Sequence, residues 1–314
     1  MLKRTLFLVV TVMFLLLLPS PAWAWNKPGH MVSAAIAYSE LQQNAPQATA
    51  RVVSILKQHP DFDSSWSSQL SGISNSEIDP DQVLFMLAAR WPDDIRRTPG
   101  LDHPKWHYIN FPYKPADQPA SVTVKEPDLA DNIVNGFEEN LNIIGSSADD
   151  SEKAIALCWL FHLIGDVHQP LHTVALFTTD YPDGDRGGTR FYVRARQGAG
   201  PISLHEFWDD LILGSERVRS VRNQATELRL NPSYKRSALT ELSETQFDNW
   251  AKPESFEIAK EVAYRNGTLN GSPDKENAQV LPADYASSVK EVGERRAVLA
   301  GYRIADLLQQ SFQR

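Results

Sequence analysis

Apolar residues recur at i, i+3 and i+4 through most of the chain, the spacing that gives an α-helix one continuous greasy stripe. The pattern predicts helices over 30–41 (HMVSAAIAYSEL), 45–58 (APQATARVVSILKQ), 81–90 (DQVLFMLAAR) and 129–144 (LADNIVNGFEENLNII). It predicts four more over 151–168, 202–213, 255–266 and from about 283 to 312. Strict alternation is rare: the clearest case, 189–196 (TRFYVRAR), follows the turn-rich DYPDGDRGG and predicts a small hairpin or extended loop. The proline-bearing stretch 111–128 reads as one surface loop between helices. No internal repeat, low-complexity tract or linker divides the chain, so a single, mainly α-helical domain is expected.

The first residues are apolar in a different way. A basic start (Met1-Leu2-Lys3-Arg4), the unbroken run TLFLVVTVMFLLLL and the small-x-small triplet Ala22-Trp23-Ala24 describe a signal peptide over 1–24. The run is short for a membrane anchor. Cleavage after Ala24 leaves a domain over 25–314, exported to the periplasm or beyond, with Trp25 as its new N-terminus. Losing Lys3 and Arg4 takes the formal charge from −8 to −10. An acidic chain has no bulk electrostatic grip on polyanions and needs a local cationic site to bind one, which metal ions can supply. Cys158 is the one cysteine, which excludes an intrachain disulfide. Its apolar helix marks it as an inert buried thiol.

Candidate chemistry concentrates in 158–175, CWLFHLIGDVHQPLHTVA, where three histidines and an aspartate interrupt a run made for a core. Such groups are costly to bury without partners. His162 and Asp166 are four apart and share one helix face, and Pro170 ends the helix so that His172 can turn elsewhere. The same His-x-x-x-Asp spacing returns at His205 and Asp209 in LHEFWDD. Repetition favours metal ligation over a structural hydrogen bond.

Asp93 (WPDDIRR) and His107 (HPKWHYINF) follow breaks beside Pro92 and Trp106, where aromatic packing can hold a side chain rigidly. Taken alone, they read as a helix cap and a surface histidine. His59 and His103 read as solvated. At the expected N-terminus, WNKPGH, a free α-amino group of pKa about 8 sheds its proton readily to a metal, and the Pro28-Gly29 turn brings His30 close.

The five motifs Trp25-Asn26-x-x-Gly29-His30, WPDDIR, WHYIN, FHLIGDVHQPLH and LHEFWD, in this order over most of the chain, closely resemble those of the trinuclear-zinc single-strand nucleases, the type I or S-one/P-one nucleases. A distant relation to zinc-dependent phospholipases C is implied as well. The resemblance implies a mainly α fold of that type and three zinc ions. Asp93, His107 and His162 would hold one, with Asp166 as an additional ligand. The Trp25 amine and carbonyl, His30 and Asp166 would hold the second. His172, His205 and Asp209 would hold the third. Five of the eight histidines are thereby assigned. Imidazole and carboxylate suit zinc, and incomplete ligand sets suit catalysis.

The implied reaction is hydrolysis of single-stranded DNA and RNA, and of 3′-mononucleotides, by metal-activated hydroxide, giving 5′-phosphorylated products. In it, Asp93 and Asp166 anchor the catalytic metals and Arg96 supports the negative transition state. Tyr108 stacks on the base beside the scissile phosphate, which favours unpaired strands. Asn110 meets the base edge where relatives often carry Asp, and Thr189 stands where they usually carry Asn, so base preference is left open. His168 lies in a matched motif without a ligand role and is expected to support neighbours. A monomer without membrane contact or protein partner is expected. The competing readings are a zinc phospholipase C and a non-catalytic secreted zinc-binding protein; the absence of an amphipathic membrane helix counts against the first, and Arg96 against the second.

Overall fold

The computed structural model describes residues 25–73 and 78–313. The expected signal peptide lies outside the described residues.

Asn26 starts the first helix: its side-chain carbonyl accepts from the Gly29 amide at 2.9 Å, and Pro28 sits in the first turn. The helix, α1 (Lys27–Asn44), is rich in alanine and buried on nearly every side. After it come α2 (Pro46–Leu56), the short α3 (Ser67–Ser71) behind a π-helical turn, and α4 (Pro80–Asp94). Strand β1 (Phe111–Tyr113) leads through a long loop to α5 (Ile133–Gly145) and α6 (Asp150–His168). Then follow β2 (Val174–Leu176), β3 (Tyr192–Arg194), β4 (Ile202–Ser203) and α7 (Leu204–Asp209). The remainder is α8 (Val218–Leu230), α9 (Phe247–Asn249) running into π-helical turns, β5 (Gln279–Val280) and α10 (Tyr285–Phe312).

Two helices are wrapped by the rest. α1 packs against α10, α4 and α8, while α6 packs against α5, α4, α10 and α2. On α6 the side chains of Trp159, Leu160, Phe161, Leu163 and Ile164 are all buried. Each contributes about 1.5–3 kcal/mol, enough together to offset the cost of placing His162 and Asp166 at zero exposure on the same helix. An Asp149–Glu152 capping box fixes the start of α6 and Pro170 follows its end, as the sequence pattern requires. Cys158 is buried and its thiol is pushed well up by burial, in line with an inert core residue.

The strands pin loops to this helical body. β1 pairs with β2 in parallel, Phe111 opposite Val174 and Tyr113 opposite Leu176. β3 pairs with β4 antiparallel and with β5 in parallel. Within the predicted 189–196 only Tyr192–Arg194 is strand, so the hairpin exists but is smaller.

Other predicted bounds shift for physical reasons. α4 runs on through Pro92, so Asp93 stands in its last turn rather than after a break. α5 starts at Ile133 because Asn132 and Asn135 form a capping box, leaving Leu129 71% exposed. The 202–213 helix shrinks to α7 because Ile202 and Ser203 are taken by β4. The 255–266 segment is helical but wound largely as π turns, with Pro253 inside the preceding one. α8 was not predicted: of its 13 residues only Val221, Ala225 and Leu228 are buried. The predicted 111–128 loop opens with β1.

Candidate metal centre

Six segments meet at one place. The last turn of α4 brings Asp93, the loop before β1 brings His107, and α6 brings His162 and Asp166 from one face. The 3-10 turn Pro170–Thr173 brings His172, α7 brings His205 and Asp209, and the first turn of α1 brings His30. All eight side chains are buried.

His107 is held as the aromatic residues around it predict. Trp106 stacks on His103 at 3.7 Å and meets Trp159 edge-on at 5.1 Å, with Gly136 leaving the space its ring needs. The Ile109 amide donates to the His172 carbonyl at 2.8 Å, and His172 Nδ1 bonds the His107 carbonyl in return. The β1–β2 pairing thus begins by setting His107 beside His172. His30 approaches α6 at Gly165, where a Cβ would lie 2.5 Å from its Nδ1. Only glycine admits that imidazole.

The ligand-type atoms fall into three groups: Asp93, His107 and His162; His30, His162 and Asp166; and His172, His205 and Asp209. Asp166 lies at the middle of the first two. Its Oδ1 is 3.1 Å from His30 Nε2, and its Oδ2 is 3.0 Å from His107 Nδ1 and 3.2 Å from His162 Nε2. Asp93 Oδ1 is 3.9 Å from His162 Nε2. In the third group, His205 Nε2 is 3.1 Å from His172 Nε2 and 3.6 Å from Asp209 Oδ2.

The backbone behind the rings decides which nitrogens face inward. His162 Nδ1 lies 2.9 Å from the Ala89 carbonyl and His205 Nδ1 lies 2.6 Å from the Gly187 carbonyl. A carbonyl can only accept, so Nδ1 donates in each ring, and in the neutral imidazole Nε2 is then the lone-pair nitrogen that faces the site. His172 Nδ1 bonds the His107 carbonyl in the same way, so with both rings neutral His172 and His205 aim Nε2 lone pairs at each other across 3.1 Å, and these repel unless a cation lies between. Asp93 Oδ2, Asp209 Oδ2 and His30 Nδ1 are buried without a hydrogen-bond partner. Such orphans cost free energy in a closed core and lose that cost on a divalent ion. The residues fit a metal site.

Electrostatics agree. Burial lowers His30 and His172, and burial together with Arg96 lowers His107 to about 4, so these imidazoles are neutral at pH 7. His162 is pulled down by burial but raised overall by Asp166 and Asp93. Burial opposes ionisation of Asp166, yet His162 and His172 outweigh it and hold this carboxyl well below the usual range. Burial pushes Asp209 well above its ordinary value, against the hydrogen bond from Gln169.

Arg96 donates from Nε to Asp93 Oδ1 at 2.8 Å, beside the first group. Tyr108 and Asn110, both half-buried, line a cleft of about 530 Å³ next to His107. Trp25 is fully buried among Met31, Val32 and Ile36, and the Asn26 amide next to it contacts the Asp209 carbonyl at 3.4 Å.

Several supporting groups escaped the sequence. Gln169 donates to Asp209 Oδ1 at 2.8 Å and accepts from the Leu171 amide at 2.7 Å. Its place inside HQPLH was the available signal. Asp185 accepts from the amides of Leu176 and Gly188 and from the Tyr264 hydroxyl, holding the loop whose Gly187 carbonyl orients His205. Arg296 and Arg303, both buried on α10, share Glu254. Arg303 reaches His168 Nε2 at 2.7 Å, and Arg296 reaches the His168 carbonyl at 3.2 Å. His168 therefore does support neighbours, tying the end of α6 to α10. Those contacts span more than a hundred residues and no local pattern announces them.

His59 is not solvated. It stacks on Trp66 at 4.3 Å and its Nδ1 accepts from the Asp61 amide, because the turn after α2 folds back onto α4. His103 is half-buried on Trp106.

A mainly helical domain with clustered histidines and aspartates matches a family. Residues 25–313 match the S1/P1 nuclease family, and the chain belongs to it. The protein is therefore a nuclease, a hydrolase of nucleic-acid phosphodiester bonds. Among curated relatives, it is 26% identical to Endonuclease 4 of Arabidopsis thaliana, over 96% of this chain and 93% of the relative. It is 25% identical to Endonuclease 3 of the same plant, over 97% and 94%. Nuclease S1 of Aspergillus oryzae is 26% identical over 46% of this chain and 47% of its own length.

Proposed function

We propose that the protein hydrolyses single-stranded DNA and RNA, and 3′-mononucleotides, to 5′-phosphorylated products with three zinc ions. The observation that carries this reading is the approach of His172 Nε2 and His205 Nε2 to 3.1 Å with both Nδ1 atoms on backbone carbonyls, together with the orphaned oxygens of Asp93 and Asp209. Asp93, His107, His162 and Asp166 would hold one ion; His30, Asp166 and the amine and carbonyl of Trp25 a second; His172, His205 and Asp209 the third. Zinc bound there supplies Lewis acidity, polarising phosphoryl oxygens and acidifying water.

The chain's own residues do the rest. Burial keeps His30, His107 and His172 neutral, with lone pairs for ligation at neutral pH, and the backbone carbonyls behind His162, His172 and His205 fix those rings. Arg96, steered by its bond to Asp93, presents cationic N–H groups to the phosphate and favours the more negative transition state. Tyr108 offers a flat face to an unpaired base, and Asn110 offers both donor and acceptor to its edge. A base inside a duplex has no free face, which makes unpaired strands the substrate.

Residues 1–24 would be removed on export to the periplasm or outside, which frees the Trp25 amine, and 25–314 would form the catalytic domain. No helix among the described residues is long and apolar enough to cross a membrane. The test is product mapping on a defined single-stranded oligonucleotide, with duplex DNA and phosphatidylcholine in parallel. Cleavage of the single strand that leaves 5′-phosphates, stops with chelator and returns with zinc is expected. Turnover of phosphatidylcholine alone would overturn the reading.

A further inference from the structure

Two segments that flank the metal centre also wall the cleft beside it. One carries Tyr108 and Asn110 directly after His107; the other carries Arg186 and Arg190, in the loop whose Gly187 carbonyl holds His205. Arg186 has φ +57°, in the left-handed region that costs a side-chain-bearing residue about 1 kcal/mol or more. The fold sustains it. Asp185 is buried and bonded to the Leu176 and Gly188 amides and to Tyr264, and a Cβ on Gly187, at φ +61°, would lie 2.2 Å from the Leu171 carbonyl. An exposed arginine is thus set on a rigid, buried footing.

Its charge is also uncommitted. Among the described residues neither Arg186 nor Arg190 has a carboxylate partner, whereas Lys105 on the same cleft is held by Asp128 and Asp131. The cleft wall as a whole is balanced, with Lys105, Lys125, Arg186 and Arg190 facing Glu126, Asp128, Asp131 and Asp183, so it is the two uncommitted guanidiniums and not a net charge that offer a grip on an anion. Guanidinium forks beside an aromatic face suit a phosphate next to a stacked base.

Building on the nuclease reading of this cleft, we propose that Arg186 and Arg190 form a second phosphate site, which takes the 5′-phosphate of the nucleotide whose base rests on Tyr108. The scissile phosphate lies at the metal centre, so this second site engages a substrate only when the strand continues in the 5′ direction. The enzyme then favours chains over single units. Thr189 and the glycines beside these arginines set the backbone that presents them.

The test uses two substrates alike except for the group in question: the dinucleoside monophosphate ApA and its 5′-phosphorylated form pApA. The wild type is expected to favour pApA in kcat/KM, chiefly through KM. The double variant Arg186→Ala/Arg190→Ala should lower the pApA-to-ApA ratio about tenfold, as befits charge-assisted bonds at an exposed surface, and Arg186→Lys/Arg190→Lys should keep part of it. Binding of a phosphorothioate single strand by anisotropy should lose about 0.7 from the slope of log affinity against log salt for the phosphate given up. A ratio unchanged in the alanine variant, or equal falls on both substrates, overturns the second site. Failure of the wild type to cut either substrate would instead overturn the nuclease reading itself.

Discussion

A carbonyl oxygen behind an imidazole settles which nitrogen faces the site, and here Ala89 and Gly187 make that choice for His162 and His205. The sequence names the histidines but not the carbonyls, since the backbone partners lie on other segments. Arg96 was legible only through its family motif, and its bond to Asp93 gives it a physical position. Arg96→Ala should cut turnover by about a hundredfold or more with zinc content intact; a normal rate would remove it from the reaction. His59 carries a separate prediction. Burial lowers it to about 4 against 6.5 in the unfolded chain. Its contribution is whole above pH 6.5 and disappears as pH falls toward 4, a change of about 3 kcal/mol. Denaturant melts at pH 7 and pH 4 should therefore show wild type losing that much more than His59→Phe, and parallel losses would contradict it.

At the level of elements, the long amphipathic helices were readable because their periodicity is local, whereas α8 and the β1–β2 pair were not. α8 buries too few apolar residues to mark it, and the strands owe their existence to partners about sixty residues away. The site was legible as residues on α6 and α7 at four-residue spacing; their convergence with α1 and α4 came from the family resemblance alone and from no local pattern. Gly165 shows why. Alanine has the better helix propensity by about 1 kcal/mol, yet a methyl group would strike His30. Gly165→Ala should keep helical circular dichroism while bound zinc falls; retention of all metal would refute this close approach. The α6–α10 tie makes a different forecast. Glu254→Gln leaves Arg296 and Arg303 buried without their carboxylate and should lower stability by about 3–5 kcal/mol in denaturant titration. A change under about 0.5 kcal/mol, the ordinary scatter of a surface substitution, would show that the pair needs no counter-charge.

For the whole molecule, an acidic chain that acts on a polyanion needs local cationic groups, and the metals proposed for the buried centre, together with Arg96, Arg186 and Arg190, would supply them. Eight imidazole and carboxylate side chains from six segments form that centre, so its metals would also tie the termini of α1, α4, α6 and α7 together. The proposed second ion needs one more thing, a free amine on Trp25. The most direct measurement is zinc per chain, by elemental mass spectrometry, on protein whose N-terminus has been verified as Trp25. The account predicts three ions, with one lost when a single residue is added before Trp25. Fewer than three in the verified protein, or an unchanged count after that addition, would contradict it.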